Sequence, residues 1–332
     1  MTTTAEISAP TLMANNLRVD RDRCPLCETL TFQVDSHRVV LAGPGAASIA
    51  AAINLQAIIA KGQLTIDGHD VKRRQHLGQV GIAPIDPPLP SRMSVDAYLT
   101  LAFQTTGLCR KAARTASQSS LVDLGIAELT NRRTESLALP ERRAVTLAST
   151  LLPGTRTVFA ETPLLGLEGP ASHYVLAVLG HLSKRRQVIA TTSRYDANSP
   201  ERDLIAGATH VLILDRRDVL FVGTSDALLE IGPRYLVGIQ RASDAFFTKL
   251  AKRAIEFDTQ GHRFVASLPA DATTSDLFSI AEASGTTIVE LLPIVSGHHA
   301  TQTQAPTAYA PQSEGMAPNS QGLDTPSEEP TP

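Results

Sequence analysis

The stretch VVLAGPGAASIA, residues 39–50, decides the fold. It opens as a short apolar run of β-type residues and turns at Gly43 and Gly45. It then continues as an apolar run that predicts a helix over Ser48–Ala60. Glycines allow the backbone to turn tightly between a strand and the helix that follows it. A strand, a glycine turn and a helix in immediate succession are typical of an α/β domain.

The chain on both sides of this stretch alternates in the same way. The β-type runs are Leu30–Val34, Val39–Leu41, Gln63–Ile66, Val80–Ala83, Thr157–Phe159, Val188–Thr192, Val211–Leu214 and Leu220–Val222. The helical candidates are Ser48–Ala60, Val95–Gly107, Arg110–Leu124, Glu141–Leu152, Ala171–Ser183 and Ser225–Ile231. The alternation predicts a mostly parallel sheet. Turn residues at Asp35–Ser36 and Asp67–Gly68 predict antiparallel pairing for the opening strands.

Composition divides the chain into four parts. Residues 1–10 are polar and predict a flexible N-terminus. Residues 11–231 predict the α/β domain, with a helical subdomain at about 90–155. Residues 232–296 predict a small α+β C-terminal module. Its predicted elements are strand Tyr235–Gln240, helix Ser243–Phe257, strand Arg263–Leu268, helix Thr274–Ser284 and strand Thr286–Pro293. Residues 297–332 are rich in proline and contain acidic residues but no Lys or Arg, which predicts a disordered tail.

Charge and cysteine usage exclude several classes of function. The chain has 30 Lys and Arg against 33 Asp and Glu, so no basic excess points to nucleic acid as a partner. Tryptophan is absent and aromatic residues are few, which argues against a base-stacking platform. Three cysteines do not make a disulfide framework, which fits a cytoplasmic setting. The longest apolar stretches are too short to span a bilayer.

Cys24 and Cys27 form a C-x-x-C pair near the start of the chain. A structural zinc site needs four ligands, and His37 could add one if the hairpin folds back. A lone pair in a loop is more often incidental. The sequence leaves both interpretations open, and we expect no metal.

Further segments follow the glycine turn in a fixed order. They are GQLTIDG at residues 62–68, VGIAP at 80–84, SLALPERR at 136–143, PLLGLEGP at 163–170 and GATHVLIL at 207–214. This order resembles the nucleotide-binding domain of an ABC transporter over Thr11–Glu230. The later module resembles the C-terminal appendage of the ATP-binding subunits of two-component ABC exporters. The resemblance implies a P-loop NTPase-like fold with antiparallel N-terminal strands and a helical subdomain.

The phosphate loop of the family has lost its chemical groups here. A working loop reads G-x-x-G-x-G-K-[ST], in which the lysine reaches the phosphates and the hydroxyl binds Mg²⁺. By resemblance, the lysine falls on Ile49 and the hydroxyl on Ala50. Gly43, Gly45 and Ser48 remain. The sequence leaves two possibilities, weak anion binding at the helix N-terminus or a plain apolar packing unit.

The catalytic carboxylates and the signature motif are altered as well. The family places an Asp for Mg²⁺ and a Glu for water where this chain has Glu161 and Thr162. A shift of one residue still leaves one carboxylate, so Glu161 is either a metal ligand or a hydrogen-bonded strand end. The signature L-S-G-G-Q corresponds to a segment containing Ala138, Leu139 and Pro140, which lacks its small donors.

Two further positions of the family motifs also carry other residues here. The glutamine that senses the γ-phosphate corresponds to Ile85, and the switch histidine corresponds to Ser193. Glu168 belongs to the stretch that follows the Walker B strand in the family. Loss of so many positions beside an intact apolar pattern predicts a pseudo-ATPase.

The resemblance also places a docking surface for a membrane subunit between Pro84 and Leu101. Pro84 and Pro87 would stiffen this loop, and Tyr98 and Leu99 are the apolar residues expected to be buried on docking. An ordinary rigid surface loop is the other interpretation.

Together these features predict a catalytically inactive ABC ATPase-like subunit with a structural or regulatory role. The resemblance implies pairing with another nucleotide-binding subunit and a peripheral place on the inner face of the cell membrane through a membrane subunit. No cofactor is expected, although weak ATP and Mg²⁺ binding stays open. The alternatives are a nucleotide-sensing or weakly active ATPase subunit, and a cytosolic scaffold unrelated to transport.

Overall fold

The computed structural model of the protein describes residues 10–73, 78–193, 199–230, 234–241, 243–258, 261–269 and 272–294. Its strands are β1 Leu12–Arg21, β2 Cys24–Val34, β3 Arg38–Ala42, β4 Ile58–Ile66, β5 His69–Asp70, β6 Val80–Ala83, β7 Thr157–Ala160, β8 Gln187–Thr192, β9 His210–Leu214, β10 Val219–Thr224, β11 Arg234–Ile239, β12 Glu256–Phe257, β13 Arg263–Ser267 and β14 Ile288–Ile294. Its α-helices are α1 Pro44–Ile53, α2 Val95–Thr105, α3 Arg110–Asp123, α4 Leu139–Ser149, α5 Gly169–Ser183, α6 Glu201–Ala206, α7 Ser225–Glu230, α8 Asp244–Lys252 and α9 Thr274–Ala283. The N-terminal segment before Pro10, the linker after Glu230 and the predicted tail lie outside the described residues.

A six-stranded sheet in the order β10-β9-β3-β8-β7-β6 runs through the centre of the domain. Its neighbours are parallel except for β10, which is antiparallel to β9. A second sheet, β2-β1-β4-β5, is antiparallel, which confirms antiparallel N-terminal strands and the pairing across Asp67–Gly68. The pairing predicted across Asp35–Ser36 is wrong, because β2 lies in this sheet and β3 in the central one. Asp67 and Gly68 join β4 to β5 with φ of 55° and 75°, the left-handed pair that a two-residue hairpin turn needs.

Helix α1 lies between the two sheets. Alternate residues of β3 point to opposite faces of the central sheet, so Val39 and Leu41 pack with α1 and the antiparallel strands. Val40 and Ala42 pack instead with the helical layer on the other face. Because both faces of β3 are covered, its sequence is a continuous apolar run.

Helix α1 ends earlier than the sequence predicts, at Ile53 rather than Ala60. Leu55 adopts a left-handed φ of 60°, and the N–H of Gln56 donates to the carbonyl of Ala51 at 2.8 Å. This is the usual ending of an α-helix, but glycine normally occupies the left-handed position. The prediction is wrong because Leu55 gives no stop signal, and the residues after it start β4.

Helix α8 ends in the same way, at Lys252 rather than at the predicted Phe257. Ala254 has φ of 57°, and the N–H of Ile255 donates to the carbonyl of Leu250 at 3.0 Å. Glu256 and Phe257, which the prediction placed in the helix, form β12, which pairs with β13. The C-terminal module therefore has the order β-α-β-β-α-β of a split βαβ unit instead of the predicted five elements.

Strand β1 is absent from the sequence-based assignment. Its pairing with β2 is irregular between Ala14 and Leu17, and Asn16 within that step has a left-handed φ of 48°. These bulges interrupt the two-residue alternation that identifies a strand. The buried residues of β1 nevertheless face α1.

The C-terminal sheet has the order β12-β13-β11-β14 and is antiparallel. Helices α8 and α9 cover one face, where Phe246 and Phe264 are fully buried. Leu236 and Val265 on the opposite face belong to the core of the large domain. The module is thus packed onto the domain through its sheet.

Helices α2, α3 and α4 form the helical part of the large domain. The Ser94 hydroxyl accepts a hydrogen bond from the Ala97 N–H at 3.2 Å and caps α2. Leu99 and Phe103 are fully buried in this layer. The prediction that Leu99 contacts a partner is therefore wrong for this conformation, because its side chain already fills the core.

We expect Leu99→Ala to lower the free energy of unfolding by about 2–5 kcal/mol, because it removes a buried side chain and leaves a cavity. Leu101, on the same helix and 48% exposed, is the matched control. Leu101→Ala should change stability by less than about 1 kcal/mol. Urea unfolding of both variants measures the difference, and equal losses would contradict the assignment of Leu99 to the core.

Candidate functional site

The carboxyl ends of the parallel strands bring many of the predicted site residues to one edge. Ala42 at the end of β3 lies beside Thr192 of β8, and Ala160 of β7 lies beside Ala83 of β6. The residues that follow are Gly43 after β3, Pro84 and Ile85 after β6, Glu161 and Thr162 after β7, and Ser193 after β8. Open α/β sheets bind ligands at this edge.

Helix α1 begins at Pro44, directly after β3, and not at Ser48 as predicted. Gly43 makes the turn with φ of 94°. Proline suits the first helical turn because its ring fixes φ and it has no N–H to leave unpaired. The segment that resembles a phosphate loop is therefore the first turn of a helix, not an open loop.

Gly43 and Gly45 allow this turn to approach another backbone closely. A Cβ atom on Gly43 would lie 2.6 Å from the carbonyl oxygen of Leu214. A Cβ atom on Gly45 would lie 2.4 Å from the carbonyl oxygen of Asp215. Leu214 ends β9 and Asp215 starts the turn to β10, so this turn packs directly against the start of α1.

The other three positions of the segment face the protein interior. The Ser48 hydroxyl lies 3.2 Å from the carbonyl oxygen of Leu26 and 3.1 Å from that of Pro44. Ile49 and Ala50 are buried in the layer between the two sheets. The arrangement offers a phosphate neither a cationic side chain nor an open loop, so these residues do not fit a bound nucleotide.

Glu161 links three parts of the edge through hydrogen bonds. Its Oε2 accepts one bond from the side-chain amide of Asn54 at 2.6 Å and one from the N–H of Ile85 at 3.0 Å. Asn54 is the residue that ends α1. Glu161 is thus a hydrogen-bonded carboxylate at the end of a strand.

Thr162 follows in a left-handed conformation with φ of 36°, which is unusual for a β-branched residue. Its N–H donates to the Thr191 hydroxyl at 2.9 Å and so ties β7 to β8. Ser193 is exposed just beyond β8. Glu168 is exposed before α5, where the helix dipole favours a carboxylate.

The signature positions lie at the start of α4. Ala138 precedes the helix and donates its N–H to Oε2 of Glu141 at 2.8 Å. Glu141 is buried and also pairs with Arg132. Leu139 is partly exposed, whereas Pro140 is buried and has no N–H. The first turn of α4 therefore already holds a carboxylate at the position where a helix favours an anion.

Arg143 is a structural residue that the sequence does not distinguish from its neighbour Arg142. It is buried and donates to both carboxylate oxygens of Asp86 at 3.2 Å and to the carbonyl of Pro163 at 2.9 Å. These bonds tie the segment after β6 and the segment after β7 to α4. A basic pair in a helix gives no signal that separates a buried arginine from a solvated one.

The predicted docking residues are only partly accessible. Pro84 and Pro87 are half-buried. Tyr98 packs against the helical core, and burial raises the pKa of its hydroxyl despite a hydrogen bond to Ser149. Leu55, which the sequence gives no reason to single out, is 61% exposed directly after Asn54 and hence close to the Glu161–Ile85 contact.

The two cysteines of the C-x-x-C pair differ in burial. Cys24 is exposed, whereas Cys27 is buried. Burial raises the pKa of the Cys27 thiol, which disfavours the thiolate that a metal needs. Within the described ranges, no group of three or more His, Cys, Asp or Glu side chains has the geometry to hold a metal ion.

Comparison with solved structures gives the class of fold. The structure of cbiO1 from Clostridium perfringens, part of the ABC transporter complex cbiONQ, matches with a TM-score of 0.55 and 16% sequence identity. The match covers 66% of this chain and 90% of that chain. This chain has the P-loop NTPase-like α/β fold of an ABC nucleotide-binding domain, as the sequence predicts. No protein-family model matches the sequence, and no curated protein matches it.

We expect Ile49→Lys to destabilise the protein and not to create a nucleotide site, because residue 49 faces the apolar layer between the sheets. Burying the ammonium group should lower the free energy of unfolding by about 3 kcal/mol or more. Ile58→Lys, at a position 69% exposed, is the control and should be nearly neutral. Urea unfolding with and without Mg-ATP checks this, and a stable Ile49→Lys variant that binds Mg-ATP would contradict the assignment.

Proposed function

We propose that this chain is a pseudo-ATPase, a catalytically inactive ABC ATPase-like subunit with a structural or regulatory role in a transporter complex. The observation that carries the proposal is the start of α1. Its glycines pack against the Leu214–Asp215 backbone, and Ile49 lies in the core where the family has its phosphate-binding lysine. This geometry supports a helix that contributes packing in place of nucleotide binding.

The carboxylate chemistry supports the same proposal. Phosphoryl transfer in P-loop enzymes needs a held Mg²⁺ and a residue that orients the nucleophile. One oxygen of Glu161 already accepts hydrogen bonds from Asn54 and Ile85, and Thr162 has no basic group. Without charge stabilisation at the phosphates and at the water, most of the electrostatic contribution to catalysis would be lost.

The fold suggests which partner subunits this chain would bind. The matched structure is part of an ABC transporter complex, and by analogy this chain would pair with another nucleotide-binding subunit and dock on a membrane subunit. The described residues include no helix long and apolar enough to cross a membrane. By the same analogy, the proposed place is peripheral, on the inner face of the cell membrane, through partner subunits.

The docking surface is proposed to be the apolar surface formed by Leu55, Ile58, Pro84 and Pro87. Leu55 and Ile58 are exposed large apolar side chains that flank the end of α1. The end of α1 is tied through Glu161 to the segment after β6, which carries the two prolines. Exposed apolar residues beside a rigid loop are typical of a protein-binding surface.

Purified protein should show no saturable Mg-ATP binding by calorimetry at concentrations up to about 1 mM, which corresponds to about −4 kcal/mol. It should also show no ATP turnover above background. Turnover that survives Glu161→Ala would indicate a contaminant. Micromolar binding would favour a nucleotide sensor, and turnover abolished by Glu161→Ala would overturn the pseudo-ATPase proposal.

Leu55→Asp should reduce membrane association at least tenfold when the chain is produced with its membrane partner, because docking would bury an unpaired charge. The fold should survive, since residue 55 is exposed and Asp tolerates its left-handed φ. Val122→Asp, on α3 and 66% exposed, is the control. Membrane flotation measures association.

Unchanged flotation of Leu55→Asp and Ile58→Asp would rule out this docking surface. If the parent chain stays wholly cytosolic while candidate membrane partners are present, the transporter role fails. The cytosolic scaffold then takes its place.

A further inference from the structure

The C-terminal module is joined to the large domain by a partly buried ionic contact. Arg263 of β13 pairs through one nitrogen with Asp215, in the turn between β9 and β10, and through the other with Glu290 of β14. The Asp215 side chain is 8% exposed. The apolar residues Leu236 and Val265 pack with the domain core on the same face of the module sheet.

Gly238 makes this ionic contact possible. It lies on the central strand β11, opposite Arg263 on one side and opposite Glu290 on the other. A Cβ atom on Gly238 would come within 2.9 Å of the Glu290 Cβ and 3.2 Å of its Oε2. The missing side chain lets guanidinium and carboxylate meet across the strand that separates them.

The turn that carries Asp215 is also the turn that covers the start of α1. The backbone of Leu214 and Asp215 lies against Gly43 and Gly45, as described above. The same turn accepts a hydrogen bond from the Glu28 N–H of β2 to the carbonyl of Arg216 at 2.7 Å. The turn is therefore in contact with β2, with α1 and with the module.

We infer that the C-terminal module clamps the turn over residues 215–218 onto the start of α1, so that release of the module loosens the turn. Loss of Arg263 would remove the guanidinium that pairs with the buried Asp215 carboxylate, and the turn would have to move toward water to hydrate it. That movement would break the Glu28–Arg216 bond and uncover Gly43 and Gly45. This regulatory contact goes beyond the proposed function and does not depend on it.

Amide hydrogen exchange of the full chain, followed by NMR, tests the clamp. The Glu28 amide reports opening of the turn because it donates to Arg216. The Ile239 amide, which donates to the carbonyl of His262 at 2.8 Å, reports opening of the module itself. Arg263→Gln should speed exchange at Glu28 by about tenfold or more and leave Ile239 nearly unchanged.

Two further variants sharpen the result. Adding Asp215→Asn to Arg263→Gln should restore slow exchange at Glu28, because a neutral amide costs far less to bury than a lone carboxylate. Arg253→Gln is the control, since Arg253 pairs with Asp276 inside the module at 3.6 Å. It should leave Glu28 exchange as in the parent chain.

Unchanged Glu28 exchange in Arg263→Gln overturns the inference, as does an equal acceleration in Arg253→Gln. If Arg263→Gln also speeds exchange at Ile239, the module itself has opened. In that case, exchange measured in the milder variant Arg263→Lys tests the clamp. This variant keeps the charge but loses the two-pronged contact. It should accelerate Glu28 alone, and acceleration at both amides or at neither would overturn the clamp.

Discussion

The close contact between the start of α1 and the turn after β9 is the constraint on which the rest of this edge depends. Two backbones meet there at a distance that only glycine permits, at Gly43 and Gly45. The contact fixes α1 to begin at Pro44, which in turn directs Ile49 into the layer between the sheets. A phosphate loop needs the opposite arrangement, with open backbone N–H groups and space in front of them.

The polar residues of the edge serve this packing. Glu161 joins the end of α1 to the segment after β6, and Arg143 joins that segment to α4 through Asp86. These segments are linked directly by side chains of the chain itself. This edge can therefore keep its shape without a ligand, because buried polar groups with hydrogen-bond partners are stable.

The differences between predicted and observed elements have local backbone causes. Leu55 and Ala254 end helices in the left-handed conformation that glycine usually provides, so a sequence pattern that waits for glycine extends both helices too far. Bulges around Asn16 hide β1 for a related reason, since they break the alternation of buried and exposed residues. In each case tertiary packing stabilises a conformation that the local sequence disfavours.

The sequence by itself determined the α/β class and the six strands of the central sheet, because these depend on residue type and periodicity. Its resemblance to ABC nucleotide-binding domains implied Ile49 in place of the phosphate-binding lysine and one carboxylate where phosphoryl transfer uses two. Only the tertiary structure decided what the remaining residues do. Glu161 meets Ile85, and Arg263 meets Asp215, across 76 and 48 residues of chain, and such contacts depend on how the sheets pack. Burial likewise assigned Leu99 to the core and left Leu55 on the surface, although both are leucines in apolar surroundings of the sequence.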